Sequence, residues 1–282
     1  MNLAPQPQPT RVAQPRRVLM CRPTYFEVTY SINPWMNPDH HTDGALAVAQ
    51  WESLYATYLD LGFTVELIDP VPKLPDMVYT ANGGFVVGDV ALGARFAHAE
   101  RIPEQEKFLT WFTANGYRVA RPEHVSEGEG DILVAGEVLL AGYGQRSDRR
   151  SLPELERVFG REVLPLHLHD PYFYHLDTAL CVLESGAGGA QPVIAYLPGA
   201  FTPQSLDLLR ERFPNSIEVS HHDAMVFGLN SFSDGLNVVT APGSTGFIKQ
   251  LSAAGFNPIT VDLSQLRLGG GGIKCCTLEL HP

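Results

Sequence analysis

Cysteine is scarce in this chain: four residues in 282, two of them adjacent and none regularly spaced. That pattern excludes a disulfide framework and fits a reducing, cytoplasmic setting. No apolar run approaches the roughly 18 residues that a membrane-spanning helix needs. Positive charge is also sparse, with 20 Lys and Arg against 31 Asp and Glu, a net charge of −11. A nucleic-acid partner would require a basic face, so that class is set aside, as is a membrane partner; a small cationic ligand suits the balance. The first residues are rich in Pro and Gln and lack the apolar segment of a secretory signal. Residues 1–16 read as a disordered tail, and 17–282 as one domain.

What the chain does have is a repeat. Residues 79–96 read as a hairpin around Gly88-Asp89, followed by a helix from Ile102 to Asn115, a stop at Gly116 and a short strand to Ala120. The order recurs at 131–168 and again from His175 to Val219, where His175–Leu183 reads as the first strand. A fourth pass runs from Ala224 to Leu263, with 224–230 read as a strand. A partial copy opens the chain: strand 17–21, helix 44–61, strand 63–68. Its missing strand is supplied if residues 273–280 come round to pair with the first. Five strand–strand–helix–strand units of about 45–50 residues have a period typical of closed repeat arrays. Each must stack on its neighbours to bury an apolar face. A ring of five hides its sheet edges. A doubly wound open sheet is the rival, and the paired strands before each helix count against it.

Equivalent points of the units carry polar residues. The first strands start at Thr80-Ala-Asn82, Glu127-Gly-Glu129-Gly-Asp131 and His175-Leu-Asp177, and the closing strand carries Cys275. Seen alone, the acidic stretch reads as a solvated turn and His-x-Asp as structural. Together they place an amide, carboxylates, an imidazole and a thiol at one point. On strands, residues two apart share a face, which pairs His175 with Asp177 and gives Glu127, Glu129 and Asp131 one parity. A thiol becomes a nucleophile when an imidazolium lowers its pKa, and histidine can protonate a leaving amine and then activate water. Carboxylates crowd a thiolate only when a cation sits between them. A guanidinium, planar with paired N–H groups, fits that place. Cys275 attacking its carbon would leave a thiouronium adduct that water resolves.

The ordered set Glu-Gly-x-Gly-Asp at 127–131, His-Leu-Asp at 175–177 and Gly-Gly-x-Lys-Cys near the C-terminus resembles the guanidino-group-modifying (pentein) superfamily. That superfamily includes arginine deiminase, dimethylarginine dimethylaminohydrolase, glycine amidinotransferase and the arginine dihydrolases. The resemblance covers about residues 17–282. It implies an α/β fold, a five-bladed propeller of ββαβ units with pseudo-fivefold symmetry. It also implies Cys275 as nucleophile, His175 as general acid/base and Asp177 as a guanidinium-binding carboxylate. The motif has one extra residue here, so Glu127 or Glu129 could be the catalytic glutamate. Glu127 is favoured, with Asp131 as the second acid and Glu129 beside the substrate. Deiminases commonly carry Thr-Arg-Asp where this chain has Thr80-Ala81-Asn82. Asn82, with the stretch from Phe26 through Tyr30 and Ile32-Asn-Pro to Met36, resembles the arginine dihydrolase branch, whose product is ornithine.

The expectation is a cofactor-free hydrolase of arginine or a close derivative, giving ornithine and ammonia. Dimethylarginine hydrolysis to citrulline, amidinotransfer and a non-catalytic arginine-binding propeller are the alternatives. Its partner is a small cationic guanidino compound, and a homo-oligomer is compatible with the sequence. No metal is expected, because His167 and His169 share a strand face without a third ligand. Gly269–Gly272 lacks the Gly-Lys-Ser/Thr of a phosphate loop.

Overall fold

The computed structural model describes residues 10–186 and 191–282. It is a mixed α/β fold whose strands fall into five three-stranded groups of one design. In each, a first strand pairs antiparallel with a second, and a third returns parallel to the second after a helix. The first group orders Leu278–His281, Arg17–Cys21 and Thr64–Ile68, with Val18 opposite Glu279. The second is Gly84–Val87, Val90–Gly93 and Arg118–Ala120. The third is Ile132–Ala135, Val138–Tyr143 and Glu162–His167. The fourth is Leu180–Glu184, Val193–Tyr196 and Ile217–Glu218. The fifth is Phe232–Ser233, Asn237–Thr240 and Asn257–Thr260. Leu278–His281 also pairs in parallel with Gly84–Val87, so the first two groups make one six-stranded sheet.

The helices follow from spacing and caps. Gly44–Asp60 starts where the Asp43 side chain accepts from the Leu46 amide, satisfying a donor the helix itself cannot. Its buried residues Ala47, Gln50, Trp51, Leu54 and Tyr58 recur at helical spacing on one face. Leu152–Phe159 ends at Gly160, which adopts the left-handed conformation that terminates helices at low cost in glycine.

Apolar clusters join neighbouring groups. Leu19 and Cys21 pack with Val86, Phe108 and Phe112. Phe85 and Leu92 pack with Ile132, Leu139 and Leu155. Leu133 and Leu166 share a cluster with Leu180, Ile194, Val238 and Phe247. Val18, Met20 and Tyr58 pack with Phe232, Val239 and Val261.

Three stretches differ from the strand reading. His175 precedes a short helix, Leu176–Ala179, and the strand begins only at Leu180. His221–Met225 is helical, the strand expected at 224–230 is not formed, and the fifth group's first strand is the two-residue Phe232–Ser233 beyond it. Cys275 lies in a turn before Leu278–His281. In the first and last cases a side-chain hydroxyl takes a nearby carbonyl: Thr178 Oγ1 donates to His175 O at 2.7 Å and Thr277 Oγ1 to Ile273 O at 2.7 Å. Such local bonds compete with a sheet ladder and favour a turn. Of the expected N-terminal tail, residues 1–9 lie outside the described residues. Residues 10–16 run along the fifth group, where the Gln14 amide donates to Asp234 O at 2.8 Å and the Arg11 guanidinium lies 3.6 Å over the Phe256 ring. Among the described residues no helix is long and apolar enough to cross a membrane.

Candidate active site

The turn entering the first strand of each group carries a polar residue. These are Asn82 in the 3-10 turn Thr80–Gly83, Glu127 at the head of Gly128–Gly130, and His175 and Asp177 around Leu176–Ala179. Asn230 stands before Phe232, and Cys275 before Leu278. All are buried, at 0–2% relative exposure. Asn230 is the residue that the fifth group contributes, and it is hidden in the sequence because 224–230 reads as a strand.

Cys275, Asp177 and Asn230 form one corner. The Cys275 thiol donates to Asp177 Oδ2 at 3.2 Å. Asn230 Nδ2 donates to Cys275 Sγ at 3.1 Å and to the Asp177 carbonyl at 3.0 Å, and Asn230 Oδ1 accepts the Cys275 amide at 3.2 Å. Asp177 Oδ1 is buried without a partner. Burial raises the Asp177 carboxyl to about 6, against the lowering effects of His175 and the Cys275 hydrogen bond. Burial, and next the Asp177 charge, push the Cys275 thiol well above its ordinary value.

His175 belongs to a second corner. Its Nε2 is 2.8 Å from Glu127 Oε2. Glu127 also takes Arg146 at 3.1 Å and the Ala97 amide at 2.9 Å. Burial works to raise the Glu127 pKa, but the hydrogen bond from His175 and the charges of Arg146, His175 and Arg101 outweigh it, and the carboxyl stays ionised. An ionised acceptor puts the His175 proton on Nε2 and turns the Nδ1 lone pair toward Asn82, whose Nδ2 lies 3.4 Å away. Asn82 is oriented from its other end: Oδ1 accepts from Arg101 Nη1 at 2.7 Å, so its N–H donors face His175. Glu104 grips Arg101 at 3.0 and 2.8 Å. Gly130 keeps this contact open, because a Cβ there would meet Asn82 Nδ2 at 2.2 Å.

Asp131 and Glu129 stand apart from these corners. Both Asp131 oxygens are occupied, one by Ser147 Oγ at 2.7 Å and one by the Leu176 amide at 3.1 Å, so Asp131 anchors the turn that carries His175 and Asp177. Gly128, at φ 59°, is left-handed and packs where a Cβ would strike Gly84 O at 2.4 Å. The 3-10 turn it opens breaks the expected common parity and points Glu129 away from Glu127. Glu129 accepts from Lys274, the Glu279 amide and His281, and lines a separate cavity of about 1010 Å³ that Cys275, His175 and Glu127 do not line.

Sequence reasoning missed four side chains here besides Asn230. Asp76 accepts from Tyr30 Oη at 2.8 Å through Oδ2, while its buried Oδ1 has no partner. Arg101, Glu104 and Arg146 complete the charged wall. None sits in a motif, and residues 76–104 also carry Asp89, Arg95 and Glu100, from which the sequence does not separate Asp76, Arg101 and Glu104. The segment between Cys21 and Gly44 straps across the site. Tyr30 reaches Asp76, the Ile32 carbonyl accepts from Arg146 at 2.8 Å, and Trp35 donates to the Tyr172 carbonyl at 3.0 Å.

A family model described as N,N dimethylarginine dimethylhydrolase, eukaryotic, matches residues 22–282. An N(G),N(G)-dimethylarginine dimethylaminohydrolase of Mycobacterium tuberculosis is 51% identical over 272 residues, 96% of this chain and 88% of that protein. The bifunctional arginine dihydrolase/ornithine cyclodeaminase AgrE of Nostoc is 38% identical over 94% of this chain, which spans 38% of the length of AgrE. Among solved structures, the N-terminal domain of ArgZ, a cyanobacterial arginine dihydrolase, bound to substrate, aligns at TM-score 0.89 and 36% identity, covering 94% of this chain and 98% of that one. In that structure a cysteine is exchanged for serine. In another, covalently bonded to a reaction intermediate, an asparagine is exchanged. The two positions are spaced along ArgZ as Cys275 and Asn82 are here.

Proposed function

The chain belongs to the N,N dimethylarginine dimethylhydrolase family, and from that footing we propose that it hydrolyses arginine to ornithine through a covalent adduct on Cys275. The protein is a hydrolase of guanidino C–N bonds. The observation that carries the substrate reading is Asp177 Oδ1: a buried carboxylate oxygen without a partner, on the group whose other oxygen takes the Cys275 thiol. A buried anion is stable only with a counter-charge, and a guanidinium bound there also lies against the nucleophile. Asp76 Oδ1, likewise unpartnered, suits the α-ammonium of an amino acid. Two orphan carboxylate oxygens match the two cationic groups of arginine.

The chemistry follows from the corners. A guanidinium on Asp177 offsets the charge that holds the thiol neutral, so substrate binding favours the thiolate. Sγ bonds to the guanidino carbon, the thiol proton reaches the departing nitrogen by way of His175 Nδ1, and the C–N bond breaks to release ammonia. Glu127 holds His175 and stabilises the imidazolium when it forms. Water then gives a proton to His175 and attacks the thiouronium carbon, and the C–S bond breaks to give citrulline. In a second cycle Cys275 attacks the ureido carbon and expels the second ammonia. Hydrolysis of the thiocarbamate gives a carbamic acid, which loses carbon dioxide and leaves ornithine. The second cycle needs a neutral ureido group held in place, and Asn82 offers its N–H donors to a ureido oxygen where a carboxylate would prefer a guanidinium.

Dimethylarginine is the second reading, favoured by the 51% identity to the mycobacterial enzyme. Quantifying ammonia, citrulline, ornithine and dimethylamine after incubation with arginine and with dimethylarginine separates the two. We expect two ammonia and one ornithine per arginine, with Asn82→Asp shifting the output toward citrulline. One ammonia with accumulating citrulline overturns the two-cycle reading. Dimethylamine release without arginine turnover establishes the second.

The proposal extends to the architecture and setting. Residues 17–282 form one domain, and the five groups close into a five-bladed propeller, supported by the apolar clusters that link each group to the next and the fifth to the first. A cytoplasmic setting is supported by four cysteines that are all free.

A further inference from the structure

Asn230 is the polar residue of the fifth group, and it touches the sulfur. Its orientation is fixed by its partners. The Asp177 carbonyl can only accept and the Cys275 amide can only donate, so Nδ2 faces the first and Oδ1 the second. The remaining N–H then points at Cys275 Sγ, 3.1 Å away. One amide therefore ties the His175–Asp177 turn to the Cys275 turn and presents a donor to the nucleophile. Its own backbone is tied to the same turn, because the Lys274 amide donates to the Asn230 carbonyl at 3.2 Å. Gly272 leaves room for it, since a Cβ there would lie 2.9 Å from Asn230 Oδ1.

We infer that Asn230 is a positioning residue that holds Cys275 on its attack line and stabilises the thiolate through the Nδ2–H···Sγ hydrogen bond. This rests on Cys275 being the nucleophile. In the resting protein the thiol donates to Asp177 while accepting from Asn230. When the thiol proton leaves, the Asp177 contact loses its donor, but the Asn230 contact gains strength because its acceptor becomes an anion. The charged and titratable groups that act on the thiol are Asp177 on the short helix and Cys276 in the same turn, while the Gly272 amide works in the opposite sense; the Tyr79 and Tyr174 hydroxyls donate instead to the Leu266 and Gly270 carbonyls. Asn230 is the side-chain donor to Sγ, with its amide held at both ends by the Asp177 carbonyl and the Cys275 amide.

The test compares Asn230→Ala and Asn230→Asp with the native enzyme, and Cys275→Ser as control. Asp keeps an acceptor for the Cys275 amide, removes the donor and adds a charge. A hydrogen bond to an ionised group is worth enough to lower kcat by about 10–100-fold when lost. The pH at which iodoacetamide half-maximally alkylates Cys275, located by tandem mass spectrometry, is expected to rise by about one unit or more in Asn230→Ala and further in Asn230→Asp. Circular dichroism checks folding. Unchanged kcat and an unmoved alkylation profile overturn the inference. So does a lower kcat with an unmoved profile, which marks a purely structural role. If neither variant folds, the side-chain amide resonance of Asn230 in the ¹⁵N-labelled native protein decides: it shifts when Cys275 is alkylated if the contact exists, and stays put if it does not. An active Cys275→Ser protein would instead sink the nucleophile reading itself.

Discussion

Exchanging Asp177 for asparagine is expected to stabilise the free protein while abolishing turnover. Asp177 is fully buried, and burial raises its carboxyl from 3.8 to about 6. A carboxyl whose folded pKa is raised favours the folded state in its protonated form. That stability is present below the unfolded value and is lost as pH rises through about 6. The difference, at 1.36 kcal/mol per unit, costs the native protein about 3 kcal/mol at pH 8 and under about 1 kcal/mol at pH 4. Asparagine has no charge to desolvate, so it escapes the cost at pH 8. Its amide nitrogen inherits the unpartnered position, exchanging one unsatisfied polar atom for another. For a chain of this size the gain amounts to roughly 6 °C in melting temperature at pH 8. The same exchange removes the counter-charge for the guanidinium, and ammonia release from arginine should fall by about 100-fold or more. Melting curves of both proteins at pH 4 and pH 8, with ammonia assays alongside, make the comparison. A variant no more stable at pH 8 than the native chain refutes the burial cost. A variant that is stable and active refutes the cation site.

Two further exchanges separate residues the motifs leave ambiguous. Cys275→Ser should abolish turnover, whereas Cys276→Ser, which sits in the apolar cluster with Trp51 and Tyr58, should lose about 1–3 kcal/mol of stability and keep most activity; a dead 276 variant beside an active 275 variant in the ammonia assay reverses the assignment. Glu127→Gln should lower kcat by about 10²–10⁴ by releasing His175. Glu129→Gln instead strands Lys274, 6% exposed, and should cost about 3–5 kcal/mol in denaturant unfolding with turnover of the folded protein within tenfold of native. Equal kinetic losses in the two variants would contradict the division of labour.

The repeat was legible because its signals are local. Each helix has a periodic apolar face and a stop, and the helices survive in the structure with ends moved by up to three residues, while the hairpins around Gly88 and Gly136 stand as read. The pairing of the C-terminal strand with the first also followed from counting, since one group lacked a strand. The turns were less legible. His175, Asn230 and Cys275 all lie in segments whose apolar neighbours suggest strands, yet their backbones are held by side-chain bonds to residues far along the chain, such as the Leu176 amide on Asp131. Alternation therefore failed at Glu127 and Glu129, where a left-handed glycine sends two carboxylates to different sides. Asp76 and Arg146 were invisible because their partners are remote, and the Arg101–Glu104 pair, three residues apart, reads in the sequence like any exposed ion pair on a helical turn.

The strand Leu278–His281 lies between Arg17–Cys21 and Gly84–Val87, and the turn before it holds Cys275, the proposed nucleophile. During synthesis the other groups can form as they leave the ribosome, at about 5–20 residues per second. The first group stays without its antiparallel partner until residue 281 has emerged. The pairing of the first group and the placement of Cys275 are therefore completed by the same few residues, and a nascent chain carrying every other candidate site residue still lacks the proposed nucleophile. Pairings this distant in sequence are slow to form, because the loop must close before its contacts reward it. On the proposed assignment, the step that closes the sheet is also the one that brings the thiol into the site.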